Sequence, residues 1–210
     1  MTQTPTGTAR RARGSTRTKM LVSAAEVLRE RGAAGVTIDE VLARSGAPRG
    51  SVYHHFPEGR SQILREALDY AGYEISASLD EAARESTPVL LHRFVQLWEN
   101  ALLTSDYTAG CPVLAAAVGS GEDEQQLTSV AAEIFSRWRD AAKESYLRDG
   151  FEAAEASALA DTTLAAMEGA VVLCRSARSL QPLHDVTAQL EFLIKAKEFV
   201  TKFGVPTISS

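Results

Sequence analysis

The sequence predicts an all-α chain, with a small three-helix part at the N-terminus and a larger helical part after it. Three observations predict this. Apolar residues recur at steps of three and four along most segments, and no segment shows convincing strand alternation. Glycine and proline punctuate those segments where helices should stop and start. The charge is also divided: residues 1–60 hold ten Lys/Arg against five Asp/Glu, a net of +5, whereas residues 61–210 carry −10. Such asymmetry in a chain of formal charge −5 points to two jobs, the basic part meeting a polyanion. The competing reading is a chance excess on solvated faces.

Residues 1–15 are polar, basic and aperiodic, which predicts a disordered arm. From Thr16 to Arg31, Leu21, Ala24, Ala25 and Leu28 fall at helical spacing, and Gly32 is a natural stop. In "VTIDEVLARSG" Thr37 and Glu40 have capping-box spacing, in which each side chain bonds the other's free backbone N–H. Val36 and Val41 occupy the staple positions around that cap, and Gly46 ends the short helix. Pro48 suits a first helical position, so a second short helix is expected from Pro48 to about His55.

Two short helices joined at a glycine, after a longer supporting helix, make a helix-turn-helix. On the second of them Val52 points inward, with Phe56 one turn on. Gly50, Ser51 and His54 lie opposite, Tyr53 flanks them, and Arg49 reaches out from the first turn. The outward side is therefore rich in donors, at a helix N-terminus that favours phosphate, as a DNA major groove requires. Tyr53 also reads as an ordinary half-buried aromatic, and helical hairpins with no nucleic-acid role contain such turns. Adjacent His54 and His55 project about 100° apart, a poor arrangement for one metal. No metal and no cofactor are expected.

The stretch "TIDEVLARSGAPRGSVYHHFPEGRSQILREAL" resembles the DNA-binding signature of the TetR (tetracycline repressor) family of bacterial regulators. "GAPRGSVYHHFPEG" and the later "GCPVLAAAVGS" resemble its LmrA/YxaF-like subgroup. The resemblance covers about residues 16–68 and is weak beyond, apart from the "GCP" segment. It implies that Thr37, Tyr53 and His55 hold phosphates, while Arg49, Gly50, Ser51 and His54 approach base edges. Arg60 stands where the family usually has lysine, and it too is expected on phosphate; Arg17 joins the DNA-contact set. Pro48 and Gly50 depart from the commonest family wording and match the subgroup.

The implied domains are an arm at 1–15, a three-helix helix-turn-helix DNA-binding domain at 16–61, and a helical ligand-binding and dimerisation domain at 62–205. In the last, Leu64, Leu68, Ala71, Ile75 and Leu79 form a helix over 61–80 that links the two parts. Pro88 opens a helix whose stripe is Leu91, Phe94, Val95, Trp98 and Leu102. A short helix follows at "GCPVLAAAVGS", then one with the stripe Leu127, Val130, Ile134, Trp138 and Ala141. Residues 152–178 are rich in small side chains, and Val186, Leu190, Leu193, Ala196 and Val200 mark a last helix ended by Gly204 and Pro206. The family implies a small-molecule pocket in this part and dimerisation through the last two helices. Phe94, Trp98, Leu102, Leu114, Phe135, Trp138 and Met167 are candidate apolar lining, with Cys111, Glu168 and Cys174 as polar points. The alternative for each is plain core.

Cys111 and Cys174 have no metal-ligand spacing, which predicts reduced thiols in a cytoplasmic protein. No run of 18 apolar residues suggests a membrane span. The arginine-bearing start is not read as a targeting signal, because its one apolar run is short and contains Glu26. No constellation of nucleophile, base and orienting group suggests an enzyme. The expected function is a homodimeric repressor, released from an inverted-repeat DNA operator by a small apolar or aromatic effector. A helical adaptor acting through protein partners is the main alternative, and a helical enzyme a lesser one.

Overall fold

The structure, a computed structural model, describes residues 8–119 and 124–204. Among these it contains nine α-helices and one 3-10 turn, and no strand. The helices are α1 Thr8–Gly35, α2 Ile38–Ser45, α3 Val52–His55, α4 Arg60–Glu85, α5 Thr87–Thr104, α6 Pro112–Ala117, α7 Glu124–Arg148, α8 Ala153–Ala177 and α9 Gln181–Phe203. The expected all-α class is what forms.

Two compact units emerge: Met1–Glu74 with Cys111–Phe135, and Ile75–Gly110 with Ser136–Ser210. Of the three dividing lines, two fall inside helices, α4 and α7, and one in the loop between α5 and α6; α6 packs on α1 in the first unit. Helical periodicity runs unbroken through the two divisions inside helices, so they leave no mark in the sequence.

In the first unit, α1 begins at Thr8. Residues 1–7 lie outside the described residues. Gly32 has φ 70°, a left-handed conformation that breaks the regular helix where the sequence places its stop. Met20, Ala24, Val27 and Leu28 are buried with Val41, Val52, Phe56, Ile63 and Leu64. Gly72 of α4 meets Ile134 of α7 so closely that an added Cβ would sit 2.4 Å from Ile134 Cδ1. A larger residue there would have to displace the Ile134 side chain.

The second unit is built on buried Leu79, Leu91, Phe94, Trp98, Leu102, Trp138, Met167 and Leu183. Several polar groups inside it are paired: Trp138 donates to Ser76 Oγ at 2.8 Å, Thr87 and Ser145 share a bond of 2.8 Å, and Tyr146 meets Thr163 at 2.7 Å. The small-residue face of α8 (Ala156, Ala160 and Ala170) is buried, and α8 packs on α9. By length and composition α8 could cross a membrane, with mean hydropathy 1.3 over eighteen residues. A count of unbroken apolar runs misses this, because Asp161 and Glu168 interrupt it.

Candidate nucleic-acid interface and effector site

The helix-turn-helix is assembled by local rules that the sequence displays. Thr37 is extended at φ −109°, and its hydroxyl accepts the Glu40 N–H at 3.2 Å, capping α2. Val36 and Val41 are buried on either side of that cap. The other half of the capping box does not form. The Thr37 N–H donates to Gly35 O at 3.1 Å, while the Glu40 carboxylate takes Arg44 Nε at 2.8 Å and faces Arg31. Two guanidinium groups out-compete one neutral amide for a carboxylate. Gly46, left-handed at φ 64°, closes α2 and returns its N–H to Leu42 O.

The second short helix differs from expectation in its first turn. Pro48 is extended rather than helical, and Arg49–Ser51 form a 3-10 turn before α3. The Ser51 N–H bonds Pro48 O at 2.9 Å and the Ser51 hydroxyl donates to the same carbonyl at 2.6 Å. Both Ser51 donors are thus used within the turn.

Val52 and Phe56 are fully buried, as the wheel predicts, and carry the opposite face outward. Tyr53 is 64% exposed, which removes its reading as a half-buried aromatic. His54 is exposed and His55 partly so, their rings edge-on with centroids 5.0 Å apart. Nothing lies within 4 Å of where a Gly50 side chain would start. Arg49 projects beside it with its side chain 82% exposed, Nη2 lying 2.7 Å from Asp39 Oδ1. Thr37 is exposed and keeps its hydroxyl proton for a further bond. Asp39 is the neighbour that the sequence did not mark; ten residues separate it from Arg49, and its only signal is an acid in a basic surface.

Arg60, expected on phosphate, and Arg17, expected in the DNA-contact set, each have partners within the fold. Arg60 Nε donates to Val36 O and its Nη2 to Ala33 O, each at 2.7 Å. This guanidinium caps the end of α1 and ties α4 to the entry of α2, so its place is one of positioning. Arg17 pairs with Glu66 on α4 and lies over the Phe56 ring, 5.0 Å from its centroid. Arg44 completes the inner set, gripping Glu30 through both terminal nitrogens at 2.7 and 3.0 Å. These bonds hold the Glu30 carboxyl below its usual range and raise the Arg44 pKa further.

The effector candidates divide between the units. Phe94, Trp98, Leu102, Trp138, Met167, Glu168 and Cys174 are buried in the second, while Cys111, Leu114 and Phe135 belong to the first. The Phe94 ring lies 6.0 Å from Trp98 and 6.3 Å, edge-on, from Trp138. Cys111 Sγ accepts the Leu114 N–H at 3.4 Å and so caps α6. Burial pushes the Cys174 thiol up, which keeps it protonated and unreactive. Two surface grooves of the second unit, of about 260 and 330 Å³, lie away from these aromatics.

A helix-turn-helix with a donor-rich outer face, on an otherwise all-helical chain, defines the class of DNA-binding transcription regulators. Residues 20–67 match the family described as bacterial regulatory proteins, tetR family, and residues 89–189 match the LmrA/YxaF-like transcriptional regulator C-terminal domain. An uncharacterized HTH-type transcriptional regulator of Mycobacterium tuberculosis is 42% identical over 186 residues, covering 86% of this chain and 95% of that one. The HTH-type regulator YxaF of Bacillus subtilis is 26% identical, covering 89% and 98%. A TetR regulator structure from Legionella pneumophila superposes with TM-score 0.73 at 15% identity, over 83% of this chain and 95% of that one. The chain belongs to the TetR family of transcriptional regulators, and it is a DNA-binding regulator, not an enzyme.

Proposed function

We propose that this regulator is a cytoplasmic homodimeric repressor, released from an inverted-repeat operator by a small apolar or aromatic molecule. Residues 16–61 bind the operator, and residues 62–205 bind the effector and form the dimer. Exposure of Arg49, Gly50, Tyr53 and His54 opposite buried Val52 and Phe56 is the observation that carries the reading. In it Arg49 reads a base edge, with Gly50, Ser51 and His54 close to the groove floor. Thr37, Tyr53 and His55 hold phosphates, and Arg60 and Arg17 position the helices.

Dimerisation is supported by an apolar strip that a monomer would leave in water: Val172 and Leu173 on α8, with Phe192, Leu193, Phe199, Val200 and Phe203 on α9. In this reading the effector binds at the aromatic cluster of Phe94, Trp98 and Trp138, with Leu102, Met167, Glu168 and Cys174. The effector acts by binding the DNA-incompetent arrangement better than the competent one, since equal affinity shifts nothing.

The test is selection of duplexes from random sequence, followed by footprinting and sedimentation of the complex. Two half-sites related by a dyad are expected, their centres separated by whole turns of roughly 10–10.5 base pairs. One asymmetric footprint under a monomer would overturn the reading.

A further inference from the structure

We propose that Asp39 is a positioning residue for Arg49, and through it a determinant of operator specificity. This rests on the proposed role of Arg49 as the reader of a base edge. Asp39 lies in the first turn of α2 and Arg49 in the 3-10 turn before α3, so the contact bridges the two arms of the helix-turn-helix. Nη2 of the guanidinium lies 2.7 Å from Asp39 Oδ1, and the two side chains are 82% and 75% exposed.

An ion pair so open to water adds little to folding. A carboxylate on a surface that meets phosphates also opposes binding by like-charge repulsion. Its effect in this place is to restrain a long side chain. Free in solvent, Arg49 samples many rotamers, and docking must freeze them at an entropic cost. Asp39 takes one proton of Nη2 and leaves the other, with its neighbour on the remaining edge of the guanidinium, for acceptors such as guanine O6 and N7. Gly50 beside it leaves open space, and the Asp39 carboxylate is what directs the guanidinium among the described residues. Arg44 and Arg60 are directed instead by partly buried partners on α1 and in the turn after it. Asp39 does for the outward arginine what those partners do for the inward ones.

The experiment uses the full chain and a site selected by the wild-type protein. Affinities for that site, its single-base variants and an unrelated duplex are measured for Arg49→Ala, Asp39→Asn, Asp39→Glu and the double variant Asp39→Asn/Arg49→Ala. Arg49→Ala should reduce preference at one base pair per half-site by roughly 5- to 150-fold. Asp39→Asn should reduce preference at that same base pair by roughly three- to tenfold and tighten binding to the unrelated duplex, because a negative charge is gone. Asp39→Glu should restore much of the preference, and the double variant should be no less selective than Arg49→Ala alone. All four should stay folded, melting within a few degrees of the wild type. If Arg49→Ala changes the preference but Asp39→Asn leaves it alone, or if the two losses add, Asp39 is not a positioning residue. Should Arg49→Ala itself leave every base preference unchanged, the reader assignment fails, and this inference with it.

Discussion

Residues 37–60 of the first unit and the aromatic cluster of the second use side chains in opposite ways. On the outer face of the helix-turn-helix, Arg49, Tyr53 and His54 stand in water and hold almost nothing of the fold. At Phe94, Trp98 and Trp138 every ring is buried, and the Trp138 N–H is tied to Ser76. Function and stability are therefore separable in the first region and fused in the second. A substitution on the outer face reports on DNA; one in the cluster reports on folding before it reports on any effector.

The largest effect expected from this contrast is at Trp138. Trp138→Ala removes a fully buried side chain and strands the Ser76 hydroxyl, so it should cost about 3–5 kcal/mol in urea denaturation. A cost near zero would mean that the ring lines an open pocket, and the contrast would fail.

Arg60 sharpens the comparison from the other side, because it lies in the DNA-binding segment yet behaves like core. Arg60→Ala should destabilise by about 1.5–3 kcal/mol through loss of its charged bonds to Ala33 and Val36. The salt dependence of DNA binding should stay as in the wild type, since no phosphate contact is lost. Arg49→Ala should cost at most about 1 kcal/mol of stability. A salt slope reduced by about one per subunit in Arg60→Ala would return that residue to the phosphate set.

The smallest effect concerns pH. Pairing with Arg44 holds Glu30 below its usual pKa of 4.5. A carboxyl depressed on folding stabilises above its unfolded pKa, and the contribution disappears as pH falls through the folded value. Glu30→Gln should therefore be less stable at neutral pH and lose less on acidification below about pH 4.5. Parallel curves for the two proteins, followed by thermal melting across that range, would remove Glu30 from the acid sensitivity of this unit.

What the sequence by itself determined is what depends on neighbours along the chain. Helical periods marked the elements, Thr37 and Gly46 marked the ends of α2, and Val52 and Phe56 marked the inner face of α3; each follows from 3.6-residue geometry or from one backbone conformation. Within the same local range the first turn after Pro48 escaped, because a proline φ near −62° suits both an extended cap and a helical start. Tertiary structure alone decided the destinations of long charged side chains. Arg17, Arg44 and Arg60 turn to carboxylates and carbonyls 49, 14 and 24 residues away. Arg49 turns out to Asp39, and no spacing rule distinguishes the two outcomes. The separation of Phe135 from Trp138 was equally hidden, since it falls inside the continuous helix α7. A guanidinium on a flexible stem takes whichever partner folding brings within reach, and that partner is set by the packing of helices far apart in the chain.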